Sequence, residues 1–377
     1  MNDRLVRTAV PPVFNDNKFK LGFFAANCSG GMAVTQLPER WQNTWENNLK
    51  LAKLADAAGI EFMLPIARWI GYGGATDFHG SVLETMTWAA GLLAHTQHIN
   101  VFATIHTACN HPVVLAKQIA TIDQIGRGRA GLNIVCGWNK PEYDAMGQTL
   151  PDDHETRYEM GQEWYDIVKK LWYEDERFDW DGKYFKLKGA YGQPHPVSGR
   201  VPIFNAAGSA QGRDFATRNA DFLFTSAIDL NKSREEIAGI KAQAAARGRN
   251  IDVLTFSYVV CRPTVKEAEA YHHYYSQENA DWEAVDNIIR LMFAHAESFP
   301  KDQLKLIRDR FSGGHGGFPL IGDPQKVADG LQQLYEAGFS GTTLSFVNYV
   351  EEFPYFRDNV LPILEARGLR NAFKVSA

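Results

Sequence analysis

Apolar residues along this chain alternate between short unbroken runs and stripes at helical spacing. The runs fall at Lys20–Ala25, Glu61–Ala67, Ile99–Ile105, Ala130–Cys136, Val201–Ala206, Asp221–Phe224, Val253–Cys261 and Thr342–Phe346. Runs such as "FMLPIA" and "INVFATI" lack the polar alternation of a half-exposed sheet, as expected of strands covered on both faces. Between them, Leu51, Leu54, Ala55 and Ala58 form one stripe over Thr44–Ala58, closed by Gly59. Ser81–Ala94 and His111–Ile125 read as helices in the same way. Near the carboxyl end, Asp323-Pro324 is a cap followed by proline at the first helical position; Val327, Leu331, Leu334 and Tyr335 make the stripe, Gly338 stops it, and "GTTLSF" follows. Eight such alternations predict an α/β fold, a (β/α)8 TIM barrel forming a single domain over residues 1–377. Insertions after strands 2, 4 and 7 are expected near 68–80, 175–200 and 264–319. The four glycines around Ser312 and His315 predict a mobile lid over 312–319.

Composition narrows the partners. A formal charge of −5 gives no basic footprint for nucleic acid or an anionic membrane surface. No apolar run approaches the ~20 residues of a membrane span, and Met1–Lys20 lacks the apolar core of a signal peptide. Cys28, Cys109, Cys136 and Cys261 are too scattered for a CxxC metal or redox site. A cytoplasmic protein without a metal site is the expectation.

Gly126, Gly128 and Gly131 spell a GxGxxG, but here helix precedes the glycines and strand follows, the reverse of a dinucleotide fingerprint. In a barrel the chemistry belongs at the carboxyl ends of the strands. Polar residues expected there are Asn27, Arg68, Thr104, His106, Asn133, Trp138, Glu142, Gly208 and Ser209. Asn133, a full amide inside the apolar "GLNIVCGW", needs hydrogen-bond partners, either in the core or on a ligand.

The segments "ATIDQIGRGRAGLNIVCGWNKPEYDAMG" (120–147), "RYEMGQEWYDIVKKLW" (157–172), "NAAGSAQGRDFATRNADFLF" (205–224) and "LIGDPQKVADGLQQLYEAGFSGTTLSF" (320–346) carry a resemblance over nearly the full chain. They resemble the bacterial-luciferase-like, FMNH2-dependent two-component monooxygenases, in the branch of the pyrimidine and dimethyl sulfone monooxygenases. The resemblance implies FMN as cofactor, O2 as co-substrate, and NAD(P)H used only by a partner flavin reductase. It implies that Ala67, Arg68, Asn133 and Glu142 lie along the flavin ring, that Arg157, Tyr158, Gly208 and Ser209 hold its phosphate, and that Thr104 and Asn133 place dioxygen. The phosphate assignment agrees with physics, since Ser209 opens a helix whose free N–H groups favour an anion. An arginine and a histidine, two apart, serve the sulfonate reaction in the related alkanesulfonate enzymes; Phe256 and Tyr258 stand there in this chain, against a sulfonate substrate. Asn27, Trp69, His106, Trp138, Tyr258 and His315, with Cys109 and His111 nearby, are expected to line a pocket for a small, mostly neutral N-heterocycle or organosulfur compound. A homodimer or homotetramer is implied. The alternatives are a deazaflavin (F420)-dependent oxidoreductase of the same fold, a non-catalytic flavin-binding protein and, less favoured, a metal-dependent hydrolase.

Overall fold

The computed structural model describes residues 10–293 and 301–373. Residues 1–9 of the amino-terminal stretch, 294–300 of the third insertion and 374–377 lie outside them. The strands are β1 (Lys20–Phe24), β2 (Phe62–Leu64), β3 (Asn100–His106), β4 (Ala130–Val135), β5 (Phe178–Asp181), β6 (Lys186–Ala190), β7 (Ile203–Ala206), β8 (Phe222–Phe224), β9 (Asp252–Cys261), β10 (Phe318–Gly322) and β11 (Gly341–Ser345). The helices are α1 (Trp45–Ala57), α2 (Thr85–Ala94), α3 (Pro112–Ile125), α4 (Lys140–Ala145), α5 (His154–Tyr173), α6 (Ala210–Asn219) and α7 (Leu230–Ala245). They continue with α8 (Val265–His273), α9 (Trp282–Met292), α10 (Lys301–Gly314), α11 (Pro324–Glu336), α12 (Tyr349–Asn359) and α13 (Leu361–Ala366).

Parallel pairings run β9-β11-β1-β2-β3-β4-β7-β8, and β8 pairs back to β9, closing an eight-stranded (β/α)8 barrel. Helices cover its outer face, where Leu21, Val101, Leu132, Ile203 and Val253 pack outward. The inside is filled by rings: Phe62, Phe102, Phe204, Phe222 and Phe224 are buried together with Leu64 and Leu254. Room for them comes from two glycines. A Cβ on Gly22 would stand 2.4 Å from the Phe62 ring, and one on Gly131 would stand 2.3 Å from Phe102. Phe14 stacks on Phe222 at 5.6 Å and plugs the amino-terminal end. Burial of this ring layer drives closure and confines polar side chains to the other end.

The apolar runs correspond to the barrel strands, with one instructive shortening. β2 stops at Leu64, because Pro65 has no N–H to continue the ladder. The GxGxxG is indeed a helix-to-strand turn, with Gly126 capping α3 and Gly131 inside β4. The insertion at 175–200 is the β5–β6 hairpin, fastened to α5 where Glu163 accepts the Trp180 indole N–H (3.0 Å) and the Phe185 main-chain N–H (2.9 Å).

The lid expectation for 312–319 is corrected. Ser312 to Gly314 are the end of α10, Ser312 is fully buried, and Phe318 opens β10, a strand parallel to β9 that the sequence did not suggest. The glycines serve close approach rather than freedom: a Cβ on Gly314 would lie 2.4 Å from Tyr258.

Candidate active site

At the carboxyl end of the barrel the aromatic filling gives way to a polar pair. Thr104 and Asn133 are register partners on β3 and β4. The Thr104 hydroxyl donates to the Pro65 carbonyl at 2.6 Å and accepts from the Asn133 amide at 3.1 Å. Thus the proline that ends β2 also supplies the acceptor that orients Thr104, which orients Asn133. The Asn133 Oδ1 is left buried without a partner.

Two loops meet beside this pair. Glu142, fully buried on α4, accepts from the Arg68 guanidinium (3.3 Å) and the Trp69 main-chain N–H (2.9 Å). Arg68 also lies over the Tyr72 and Trp138 rings at 4.7 and 5.1 Å. A buried pair of opposite charges leaves the site close to neutral, and each partner requires the other. Three imidazoles surround the arginine. Burial, then the Arg68 charge, lowers His106 and His315 to about 4. Burial, then His315 and Arg68, holds His79 well below the usual histidine range against a hydrogen bond to Gly31. Arg68 Nε, His79 Nδ1, His106 Nδ1, Asn133 Oδ1, Glu142 Oε2 and His315 Nε2 are all buried without partners. Each such group costs about 1–3 kcal/mol when left unmade, so their gathering at one end of the barrel marks a ligand site.

A second polar edge lies at the start of α6. Ser209 caps this helix, accepting from the Gly212 N–H at 3.1 Å, and nothing stands within 4 Å of where a Cβ on Gly208 would be. A Cβ on Gly212 would stand 2.5 Å from the Tyr158 hydroxyl, which places that oxygen against the first turn of α6. Free N–H groups with an open approach suit an anion. Arg157 points three of its N–H groups at main-chain carbonyls of Pro151, Asp152 and Gly137. It braces the 137–153 loop and keeps its charge near this edge.

The structure therefore gathers Trp69, His106, Trp138, Glu142 and His315 about Arg68, directly or through Tyr72, with Ala67 buried next to it, and pairs Asn133 with Thr104. It does not leave Asn27 free for a ligand. That amide donates to Ile66 O and Leu83 O and accepts from the Ile66 N–H, which stitches three loops together. Tyr258 packs against His272 (5.8 Å) and the glycines of α10, and His111 caps α3. His79 and Tyr72 were missed in the sequence. Both lie in "GYGGATDFHG", where glycine content reads as an ordinary loop.

Comparison with known proteins decides the family. A family model for luciferase-like monooxygenases matches residues 19–341. The chain belongs to the luciferase-like monooxygenase family. An FMNH(2)-dependent dimethylsulfone monooxygenase of Pseudomonas fluorescens (strain Pf0-1) is 31% identical over 350 residues, covering 92% of this luciferase-like monooxygenase and 94% of the relative. Pyrimidine monooxygenase RutA of Acinetobacter baylyi (strain ATCC 33305 / BD413 / ADP1) is 29% identical over 355 residues, 92% and 95% of the two chains. These are relatives in the branch to which the sequence motifs point. The fold matches solved DmoA from Hyphomicrobium sulfonivorans with a TM-score of 0.84 at 22% identity, covering 96% and 91%. It matches a coenzyme F420-dependent tetrahydromethanopterin reductase from Methanopyrus kandleri less closely, with a TM-score of 0.66 at 17% identity, covering 92% and 99%. Among the described residues no helix is long and apolar enough to cross a membrane, and no cluster of three or more His, Cys, Asp or Glu could hold a metal ion.

A flavin mononucleotide fits these residues. The α6 start with Ser209 and Tyr158 suits a phosphate, and the unpartnered Asn133 Oδ1 and Arg68 Nε suit the polar edge of a ring.

Proposed function

We propose that this luciferase-like monooxygenase is the oxygenase half of a two-component system. A separate NAD(P)H-dependent reductase supplies reduced FMN, and dioxygen oxygenates a small, mostly neutral substrate, an N-heterocycle or a small organosulfur compound. The observation that carries the reading is the buried Asn133 amide, fixed by Thr104 and Pro65 and left with open hydrogen-bonding capacity at the barrel mouth. Bound reduced FMN would supply the two electrons that activate dioxygen.

The chain's own residues do the rest. Ser209, Tyr158 and the α6 N–H groups hold the phosphate, with Arg157 adding charge. Ala67 and Arg68 border the ring, Glu142 holds Arg68 in place, and Asn133 presents a fixed amide where oxygen reacts. His79, His106 and His315 stay neutral at pH 7, so these rings offer no imidazolium to protonate reduced oxygen and release it as hydrogen peroxide.

Stopped-flow absorbance tests this. The protein is mixed anaerobically with reduced FMN and then with oxygenated buffer. A transient spectrum belonging to neither reduced nor oxidised FMN is the expected result. Reoxidation at the rate of free FMN, with no transient, would remove the oxygenase reading.

A further inference from the structure

Two histidines stand face to face beside the arginine. His79, in the loop after β2, and His315, after α10, lie 5.7 Å apart with ring planes 10° from parallel. Phe78 stacks on both, at 4.1 and 6.1 Å, and Tyr72, under the Arg68 guanidinium, leans on both. Both histidines have positive φ, 57° and 51°. Residues with a Cβ rarely adopt that conformation, and where they do the surroundings enforce it, commonly at ligand sites.

The proton of His79 can be placed from its contact. His79 Nε2 lies 2.6 Å from the Gly31 carbonyl oxygen, so it carries the hydrogen and donates. The buried Nδ1, without a partner, is then a lone pair. His315 Nε2 is likewise buried and unpartnered. With its hydrogen on Nδ1, this neutral ring offers a second lone pair at Nε2. Glu142 Oε2 and Asn133 Oδ1 are further unpartnered acceptors at this end of the barrel, and the unpartnered donors beside the histidines are Arg68 Nε and the Tyr72 hydroxyl. Acceptors outnumber donors there, and the His79 lone pair is one that a ligand N–H or O–H can meet.

We propose that His79 Nδ1 and His315 Nε2 form an acceptor subsite that reads N–H or O–H donors on a neutral substrate of the cyclic amide or imide kind. This rests on the monooxygenase reading above and chooses within its substrate range. A sulfone offers oxygen acceptors only and would leave the imidazole lone pairs buried against like partial charge. Sites built to hydrogen-bond a substrate N–H or O–H reject analogues lacking it far more strongly than apolar pockets reject a change of size.

The test is equilibrium binding by calorimetry to the protein in the presence of oxidised FMN. The probes are uracil, hydantoin and succinimide, each beside its N-methylated form, together with dimethyl sulfone. At least one N–H compound is expected to bind about tenfold or more tighter than its methylated form and than the sulfone. His79→Phe and His315→Phe should each erase that preference while FMN binding and the circular dichroism spectrum persist. Since His79 also anchors Gly31, the unaltered protein provides a second readout. In 15N NMR the lone-pair nitrogens of His79 and His315 should move towards the hydrogen-bonded position when the N–H compound binds. A panel in which no N–H compound outbinds its methylated form, or a preference that survives in both variants, overturns the subsite. Neither result touches the stopped-flow test, which needs no substrate, so failure of this subsite and failure of the oxygenase reading are separable.

Discussion

A threonine hydroxyl has one proton to give, and Thr104 gives it to the Pro65 carbonyl. It therefore acts towards Asn133 as an acceptor, which makes it a positioning residue, while the amide is the group turned to the reaction. Two variants separate these roles. Asn133→Ala should retain FMN yet shorten the transient seen after oxygen mixing by about tenfold or more, with the consumed oxygen appearing as hydrogen peroxide. Thr104→Val keeps the shape but not the bond, and should give a smaller effect of the same sign; an Asn133→Ala lifetime equal to that of the unaltered protein would take the amide out of the oxygen site. His106 makes a second prediction. Its folded pKa, about 4, lies below the unfolded value near 6.5, so the unfolded chain takes up a proton that the native protein refuses. Stability contributed by the neutral ring is full above pH 6.5 and falls as pH drops towards 4, by up to about 3 kcal/mol. Urea midpoints at pH 7 and pH 5 should differ less for His106→Phe than for the unaltered protein.

At the scale of elements, α6 and α10 show how small residues shape the site. Ser209→Ala removes the cap that keeps the first turn of α6 open, and should cost about 1 kcal/mol in stability. It should also raise the FMN dissociation constant several-fold in fluorescence titration, with little change in riboflavin binding, because riboflavin lacks the phosphate. Gly314→Ala drives a methyl into Tyr258 and should destabilise by about 1–3 kcal/mol, visible as a lowered urea midpoint. What was legible in the sequence follows the same lines. Barrel strands were readable because burial on both faces makes them continuous apolar runs. β10 was not, since "FPLIG" sits among glycines whose role, close contact with Tyr258 and the Phe256 main chain, exists only in three dimensions. Asn27 was misread because its partners, Ile66 and Leu83, lie 39 and 56 residues away. His79 was invisible because its meaning comes from its backbone conformation and its stacking on a residue more than 200 positions later.

At the scale of the molecule, the barrel is held shut at the end opposite the site. After α13 the chain returns beneath β1 and β2, where Arg370 donates to Phe19 O (3.1 Å), Gly59 O (2.8 Å) and the Glu61 carboxylate (2.7 Å). Glu61 in turn accepts from the Leu21 N–H and from Asn15. Burial alone would raise the Glu61 pKa, but the Arg370 charge and these hydrogen bonds outweigh it and hold the carboxyl below the usual range. One ion pair thus ties residues 309 positions apart, joining the last described segment to the first two strands. Arg370→Met leaves a buried carboxylate with hydrogen bonds but no countercharge, and should destabilise by about 3–5 kcal/mol in urea denaturation. The pair Arg370→Met with Glu61→Leu should recover part of that loss, because the cost of the single variant is chiefly the stranded charge. FMN affinity should change little in either protein, since the clamp and the binding residues occupy opposite ends of the strands. A double variant no more stable than Arg370→Met would mean that the guanidinium acts through its carbonyl bonds to Phe19 and Gly59, and that the barrel is closed by a hydrogen-bonded brace rather than by charge.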